Sequence, residues 1–274
     1  MNTFRKKVRA AKLRQIPYVT LAFVLFLLTG CIAIRPAIRT AYAAAESSAE
    51  CVIEVSSRRF LHEKDADTQL PMASTTKILT ALIILEDCDL NELVTIPQEA
   101  ERAGGSSVYL RKGETHTVNE LLYGLMLRSG NDCAVSLAVH RSGSVKQFSA
   151  LMNIWAAQLG AEHSSFRNPH GLPEENHGTT ARDLALISAA AMENKTFREI
   201  VSCKFYPPEG WRNKNKLLFD YEGACGVKTG FTQKAGRCLV AAAERKGRLI
   251  VSVVLNSPMM YERTKELLDR AFSQ

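Results

Sequence analysis

The chain has 274 residues, which is enough for one large domain or two small ones behind a leader. Its formal net charge of +7 comes from the leader, because residues 1–43 contain eight Lys or Arg and no Asp or Glu. The rest of the chain has 27 basic against 28 acidic residues. Because the chain outside the leader has no excess of basic charge, we exclude nucleic acid as a partner.

Residues 1–45 have the pattern of an export signal or membrane leader. A basic segment through Arg14 precedes an apolar run over residues 16–34. Three outcomes fit this pattern: cleavage at the small residues near Ala43–Ala45, lipidation of Cys31 in a Leu-Thr-Gly-Cys sequence, or retention as a membrane span. We favour cleavage, since apolar and then basic residues follow Cys31 instead of a polar tether. Each outcome places the rest of the chain outside the cytoplasm, with membrane contact only through an uncleaved or lipidated leader.

The predicted elements after the leader are strand-rich at both ends and helix-rich in the centre. Apolar alternation and β-branched runs predict strands over residues 51–55, 58–62, 93–96, 204–206, 238–243 and 249–255. Helical periodicity and cap signals predict helices over residues 74–87, 117–127, 132–140, 144–159, 179–192 and 261–272. Thr117 and Glu120 have the spacing of a capping box, and the Pro- and Gly-rich segment 166–178 is predicted to be a functional loop. We therefore predict one α/β domain over residues 46–274, with a sheet built from both ends and an inserted helical lobe.

Ser74 and Lys77 stand at the start of the first predicted helix. A spacing of three places both side chains on the same side of a helix, one turn apart. A serine hydroxyl needs a base to become a nucleophile, and a lysine amine can be that base once burial has lowered its pKa. Ser-x-x-Lys alone is usually an ordinary helix start, so the prediction of a catalytic pair depends on the motifs downstream.

A second motif, Arg128-Ser129-Gly130-Asn131, falls between two predicted helices. A loop there can direct a hydroxyl and an amide into a cleft. We predict that Ser129 relays a proton between Lys77 and a leaving nitrogen, and that Asn131 holds an amide oxygen of the substrate.

The third motif, Gly226-Val227-Lys228-Thr229-Gly230, is predicted to lie at the end of a strand. Lys228 is predicted to supply a positive charge for a substrate carboxylate, with a hydrogen bond from Thr229. Gly230 lets a substrate strand lie close to the backbone. The backbone amides of Ser74 and Phe231 are predicted to form the oxyanion hole.

The three motifs in this order are the set found in penicillin-recognising serine enzymes. The chain resembles the D-alanyl-D-alanine carboxypeptidases among the low-molecular-mass penicillin-binding proteins. The likeness covers about residues 51–272. Besides the motifs, it includes the segments 121–127, 166–173, 180–185 and 213–218.

This resemblance implies a three-layer β-lactamase/transpeptidase-like fold, in which an antiparallel sheet is flanked by helices and carries an all-helical lobe. It implies acylation of Ser74 by the terminal D-Ala-D-Ala of a peptidoglycan stem peptide, release of D-alanine, and hydrolysis of the ester without a metal or cofactor. β-Lactams would acylate Ser74 by the same route. Many relatives carry a second, β-rich domain after the catalytic one, whereas this sequence ends at Gln274, so we expect none here. Cys133 stands where an alanine is usual, and we expect a small buried residue there.

Three other functions compete with this interpretation. A β-lactamase would need a carboxylate that activates water, for which Glu174 and Glu175 are the candidates. A non-catalytic β-lactam sensor would be expected to lack Ser74 or Lys77. A zinc carboxypeptidase is suggested only by three histidines at regular spacing, His163, His170 and His177, but no His-Glu-x-x-His helix accompanies them. We expect histidines that fix a loop or lie at the surface.

Six cysteines remain outside the leader. They are Cys51, Cys88, Cys133, Cys203, Cys225 and Cys238. An even number in an exported chain permits disulfides, but a domain of this size does not need them. Their pairing is left open.

Overall fold

A five-stranded antiparallel sheet joins the two ends of the chain that the computed structural model describes, residues 48–274. The strands are β1 (Ala49–Glu54), β2 (Phe60–Lys64), β3 (Leu93–Thr95), β4 (Thr115–Thr117), β5 (Phe205–Tyr206), β6 (Trp211–Arg212), β7 (Ala224–Thr232), β8 (Gly236–Arg245) and β9 (Arg248–Leu255). The large sheet has the order β2-β1-β9-β8-β7, while β3 pairs with β4 and β5 with β6. The first and last strands along the chain therefore share one sheet, as predicted from the sequence.

The helices fill the centre of the chain and its C-terminal end. They are α1 (Lys77–Asp87), α2 (Gln98–Glu101), α3 (Val118–Tyr123), α4 (Asn131–Ser142), α5 (Val145–Gln158), α6 (Ala181–Glu193), α7 (Lys195–Ser202), α8 (Leu217–Asp220) and α9 (Met260–Phe272). Among the described residues, no helix is both long and apolar enough to cross a membrane. The leader predicted for residues 1–45 lies outside the described residues, so its cleavage, lipidation or retention stays a prediction.

Both faces of the large sheet are covered by helices, which gives three layers. Strands β8 and β9 are apolar on both faces, as expected of strands buried on two sides. Helix α9 packs on one face through Leu267 and Leu268, against sheet residues that include Leu239 and Ile250. Full burial of each leucine contributes about 1.5–3 kcal/mol. Helices α6 and α7 contact the sheet as well, α6 through β1 and β9 and α7 through β7.

The lobe is organised around α1. Residues 77–84 of this helix are all buried, because α4, α5, α6 and α7 all contact it. A helix that is apolar on every side belongs in the interior of a helical layer. This helix begins at Lys77, so the lysine lies where the lobe meets the sheet. The predicted fold class, a sheet flanked by helices with an inserted helical lobe, is confirmed.

Several sequence-based boundaries were wrong in informative ways. The capping box at Thr117 is confirmed by both hydrogen bonds, but α3 ends at Tyr123 and a π-helical turn, Gly124–Arg128, follows. Helix α7 was not predicted at all.

Cys133 is fully buried as expected, and none of the six cysteines in the described part of the chain is in a disulfide.

Candidate active site

Ser74 lies in a single 3₁₀ turn, Ala73–Thr76, which leads directly into α1. The lysine at the start of α1 reaches back over this turn, and its Nζ atom lies 3.1 Å from Ser74 Oγ. The Ser74 side chain is half-buried, whereas Lys77 is completely buried. The predicted nucleophile and its predicted base are therefore in hydrogen-bond contact.

The Lys77 amine has two further partners besides Ser74. Its Nζ lies 2.7 Å from Asn131 Oδ1 and 2.7 Å from the carbonyl oxygen of His170. Burial, followed by the nearby charge of Lys228, holds the pKa of Lys77 well below its usual range. A neutral amine donates its two hydrogens to Asn131 and His170, which leaves its lone pair for the Ser74 hydroxyl. This arrangement suits a general base.

The segment after α5, residues 166–178, fixes the turn that carries Ser74. The Nδ1 atom of His177 accepts from the backbone N–H of Arg167, so Nε2 carries the hydrogen and donates to Thr76 Oγ1 at 3.1 Å. The Thr76 hydroxyl in turn donates to the carbonyl of Ala73. Burial lowers the pKa of His177 to about 4 and that of His170 to about 3, so both are neutral at physiological pH. Both histidines fix this loop, as expected, and neither carries a positive charge at physiological pH.

Gly171 is the point of closest approach between this loop and the nucleophile turn. Its φ is +91°, and a Cβ atom there would lie 1.8 Å from the Ala73 carbonyl oxygen. We expect Gly171→Ala to displace the loop, move the His170 carbonyl away from Lys77 and slow penicillin acylation at least tenfold. Stopped-flow labelling with a fluorescent penicillin measures this rate.

The matched control for this substitution is Gly113→Ala. Gly113 has a similar φ of +86°, but nothing lies within 4 Å of its would-be Cβ. This variant incurs only the backbone strain, about 1–2 kcal/mol, and should acylate at the wild-type rate. Equal rates in the two variants would show that the contact at Gly171 does not position the site.

The Ser129 motif joins the π-helical turn to α4. Ser129 has a left-handed backbone (φ +66°), and its N–H caps the turn by bonding to the Gly124 carbonyl. Asn131 opens α4 with its Oδ1 on Lys77, and its Nδ2 donates to the Gly104 carbonyl at 2.8 Å. That bond uses one of the two Nδ2 hydrogens.

A loop over residues 104–110 forms a wall of the site that the sequence analysis missed. The backbone N–H of Asn131 donates to the carbonyl of Ser106 at 2.7 Å. Buried Asp132 holds the loop by accepting from Ser107 Oγ and from the backbone N–H groups of Val108 and Leu110. The sequence signal that could have found it is the acidic residue directly after Asn131, in the buried first turn of a helix.

The third motif lies within β7, which continues to Thr232, so its predicted place at the end of a strand was wrong. Strand β7 forms one edge of the large sheet, and β2 forms the other. Lys228 is buried, and its Nζ donates to the Thr229 carbonyl at 3.0 Å. Burial, with Lys214 as the second cause, lowers its pKa to about 7. A bound carboxylate would favour its charged form.

Gly230 brings this edge strand against the nucleophile turn. A Cβ at Gly230 would lie 3.0 Å from the backbone nitrogen of Ser74 and 3.1 Å from the carbonyl oxygen of Met72. Any larger residue would push the strand and the turn apart. The backbone amide of Ser74 is therefore held beside β7, one of the two edge strands of the large sheet.

These parts surround one cavity of about 330 Å³. Of the predicted site residues, Ser74, Ser129, Thr229, Gly230 and Phe231 line it. Lys77 adjoins it through its contact with Ser74, and Asn131 contacts Lys77 in turn. Six further lining residues were not predicted from the sequence: Ser106, Lys214, Lys216, Arg237, Met260 and Tyr261. Three of these six are cationic. The cavity is therefore suited to an anionic substrate.

Comparisons with known proteins agree with this geometry. A family model for D-alanyl-D-alanine carboxypeptidases matches residues 37–259. The D-alanyl-D-alanine carboxypeptidase DacF of Bacillus subtilis is 35% identical over 255 residues, which are 86% of this chain but only 64% of that protein. The D-alanyl-D-alanine carboxypeptidase of Streptomyces sp. strain K15 is 38% identical over 230 residues, 75% of this chain and 79% of the relative.

Solved structures give the same assignment. The Streptomyces K15 DD-transpeptidase superposes with a TM-score of 0.77 at 34% identity, over 82% of this chain and 96% of that structure. The D-alanyl-D-alanine carboxypeptidase DacD of Francisella tularensis gives a TM-score of 0.76 at 27% identity, over 85% of this chain and 72% of that one. The family expected from the three motifs is confirmed: this chain belongs to the D-alanyl-D-alanine carboxypeptidase family of serine peptidases.

Proposed function

We propose that the protein removes the terminal D-alanine from peptidoglycan stem peptides through an acyl-enzyme on Ser74, outside the cytoplasm, and that β-lactams acylate the same serine. The observation that carries this proposal is the contact between Lys77 and Ser74. A buried amine, whose pKa burial holds well below its usual range, lies 3.1 Å from a hydroxyl that lines a cavity with three basic side chains. No residue needs to move far for the hydroxyl to lose its proton to the amine.

Acylation would begin with the substrate lying along the open edge of β7. Lys228 and Thr229 hold its terminal carboxylate, while the backbone amides of Ser74 and Phe231 polarise the carbonyl of the last peptide bond. Ser74 Oγ attacks that carbon as its proton moves to Lys77 Nζ. The C–N bond then breaks, and the D-alanine nitrogen takes the proton through Ser129.

Hydrolysis would reverse these roles. A water molecule attacks the ester carbonyl, its proton moves to Lys77, and Ser74 leaves as the hydroxyl. The geometry speaks against the β-lactamase alternative, in which Glu174 or Glu175 would activate that water. Both residues are exposed, and Glu174 accepts instead from the Asn168 side chain at 3.1 Å.

The test is to incubate the purified protein with a stem pentapeptide and assay free D-alanine, with a parallel sample labelled by a fluorescent penicillin and mapped by mass spectrometry. We expect one D-alanine per peptide and a penicilloyl adduct on Ser74. A stable adduct without D-alanine release would refute the carboxypeptidase and favour a sensor. Rapid loss of the adduct with turnover of the antibiotic would favour a β-lactamase.

A second candidate activity is transfer of the acyl group to an amine instead of to water. The solved relative from Streptomyces K15 is named a DD-transpeptidase, which is the observation that favours it. Adding glycine or a stem-peptide amine to the same assay distinguishes the two, because transfer gives a new amide product while release of D-alanine continues.

A further inference from the structure

The two helices that contribute to the catalytic contact also meet at their other ends. Helix α1 starts at Lys77 and α4 starts at Asn131, and these two side chains are 2.7 Å apart. The helices have 11 and 12 residues, so their C-terminal ends lie about 15–18 Å from the active site. Cys88 is the C-cap of α1, and His140 lies in the last turn of α4.

Three side chains with metal-binding chemistry converge between these C-terminal ends. They are the Cys88 thiol, the Glu92 carboxylate and the His140 imidazole, whose ligand atoms all lie within 4.8 Å of one another. The closest pair, His140 Nε2 and Glu92 Oε2, is 2.9 Å apart. We propose that Cys88, Glu92 and His140 bind a zinc ion that joins the C-terminal ends of α1 and α4.

The donor set fits zinc better than other common ions. A thiolate, an imidazole and a carboxylate are the three ligand types that Zn²⁺ takes, whereas Mg²⁺ and Ca²⁺ require sets of oxygens. Bonds of 2.0–2.3 Å in a tetrahedron place the ligand atoms about 3.3–3.8 Å apart. Small side-chain rotations bring the three atoms into that range, and a water molecule completes the four.

The turn between α1 and β3 already holds Glu92 in place. Glu92 Oε1 accepts from the backbone N–H of Asp89 at 2.7 Å, which leaves Oε2 directed at His140. Asp89 in turn accepts from the backbone N–H of Asn91 at 2.8 Å. One ligand oxygen is therefore positioned before any ion binds, and the partial exposure of the His140 and Glu92 side chains, 24% and 44%, gives an ion access from solvent.

The local charges also favour a cation. The C-terminal ends of helices carry partial negative charge, and two such ends meet here. The basic side chain of Arg141, whose charge acts on Cys88, is paired with Asp87 at 2.9 Å. Burial, with Glu92 as the second cause, raises the pKa of Cys88 to about 11, so the free thiol keeps its proton at neutral pH. Zinc would displace that proton to the solvent and replace the His140–Glu92 hydrogen bond with two metal bonds.

Cobalt is the spectroscopic probe for this site. The full-length protein, purified under reducing conditions and freed of metal, is titrated with Co²⁺. We expect one equivalent to bind with a near-ultraviolet thiolate-to-cobalt absorption band, which Zn²⁺ then abolishes by displacement. In a thermal melt, zinc at 100-fold above its Kd should raise Tm by roughly 5–10 °C.

The variants assign the ligands. Cys88→Ser should lose the absorption band, and Cys88→Ser and His140→Gln should each lose the zinc-dependent rise in Tm. Cys203→Ser, which alters another half-buried cysteine, should keep both. Penicillin labelling at the wild-type rate verifies that each variant is folded. A cobalt band that survives in Cys88→Ser, or a wild-type Tm that zinc does not change, would overturn the proposal.

Discussion

Ser74→Ala should abolish both penicillin labelling and D-alanine release, with a loss of at least about 10⁴-fold in each rate. The substitution removes the hydroxyl oxygen that lies 3.1 Å from the Lys77 amine, on a residue that lines the cavity. Without that oxygen no acyl-enzyme can form, so both reactions stop together. Time-resolved labelling with a fluorescent penicillin and a D-alanine assay on a stem pentapeptide measure the two rates.

Ser106→Ala is the matched control for that experiment. It removes a hydroxyl from the wall of the same cavity, but its contribution to the site is a backbone carbonyl bonded to Asn131, which alanine keeps. We expect rates within a few-fold of wild type. Penicillin labelling that persists in Ser74→Ala would assign the nucleophile to another residue.

Lys77→Met should slow acylation by about 10²–10⁴-fold, which is the usual contribution of a general base. Methionine fills most of the same volume but cannot accept the Ser74 proton. The expected signature is a slow rate with the serine still labelled in the end, which separates a lost base from a lost nucleophile. The melting temperature should also fall, because Asn131 Oδ1 and the His170 carbonyl each lose a buried donor.

Lys214→Met tests whether another lysine of the cavity could serve as the general base. Lys214 lines the same cavity, but its contribution there is a charge at the rim and not contact with Ser74. We expect a higher KM for an anionic peptide and an acylation rate within tenfold of wild type. If Lys77→Met acylates as fast as Lys214→Met, the buried amine is not the base.

Much of the fold followed from signals that are local in the sequence. The capping box at Thr117, the N-cap at Ser144 and the N-cap at Thr180 each start a helix where predicted, and each side chain accepts from a backbone N–H three residues later. The long apolar runs of β8 and β9 were also found, with ends extended by two residues or fewer. Such signals depend on neighbouring residues alone and need no knowledge of tertiary contacts.

The missed parts depend on contacts between distant segments. Helix α7 has a charged and β-branched sequence behind the N-cap Asn194, whose side chain accepts from the Phe197 N–H. The cap alone did not lead to a helix prediction, and the helix forms where Phe197 and Ile200 are buried. Arg237 and Tyr261 reach the cavity because β8 pairs with β7 and α9 packs against β8 and β9. The same holds for the partners of Lys77, since the three motifs name Asn131 but give no sign of the His170 carbonyl.

The three hydrogen bonds of Lys77 have a consequence for folding. Two of its partners lie 54 and 93 positions along the chain, so the amine acquires its low pKa only after long-range segments have closed around it. In an unfolded or partly open chain the lysine returns to its ordinary, protonated state and Ser74 is inert. The extent of reaction with penicillin therefore measures the fraction of correctly folded molecules. During refolding, the ability to react with penicillin should appear at the rate of the slowest step, in which the most distant segments come together.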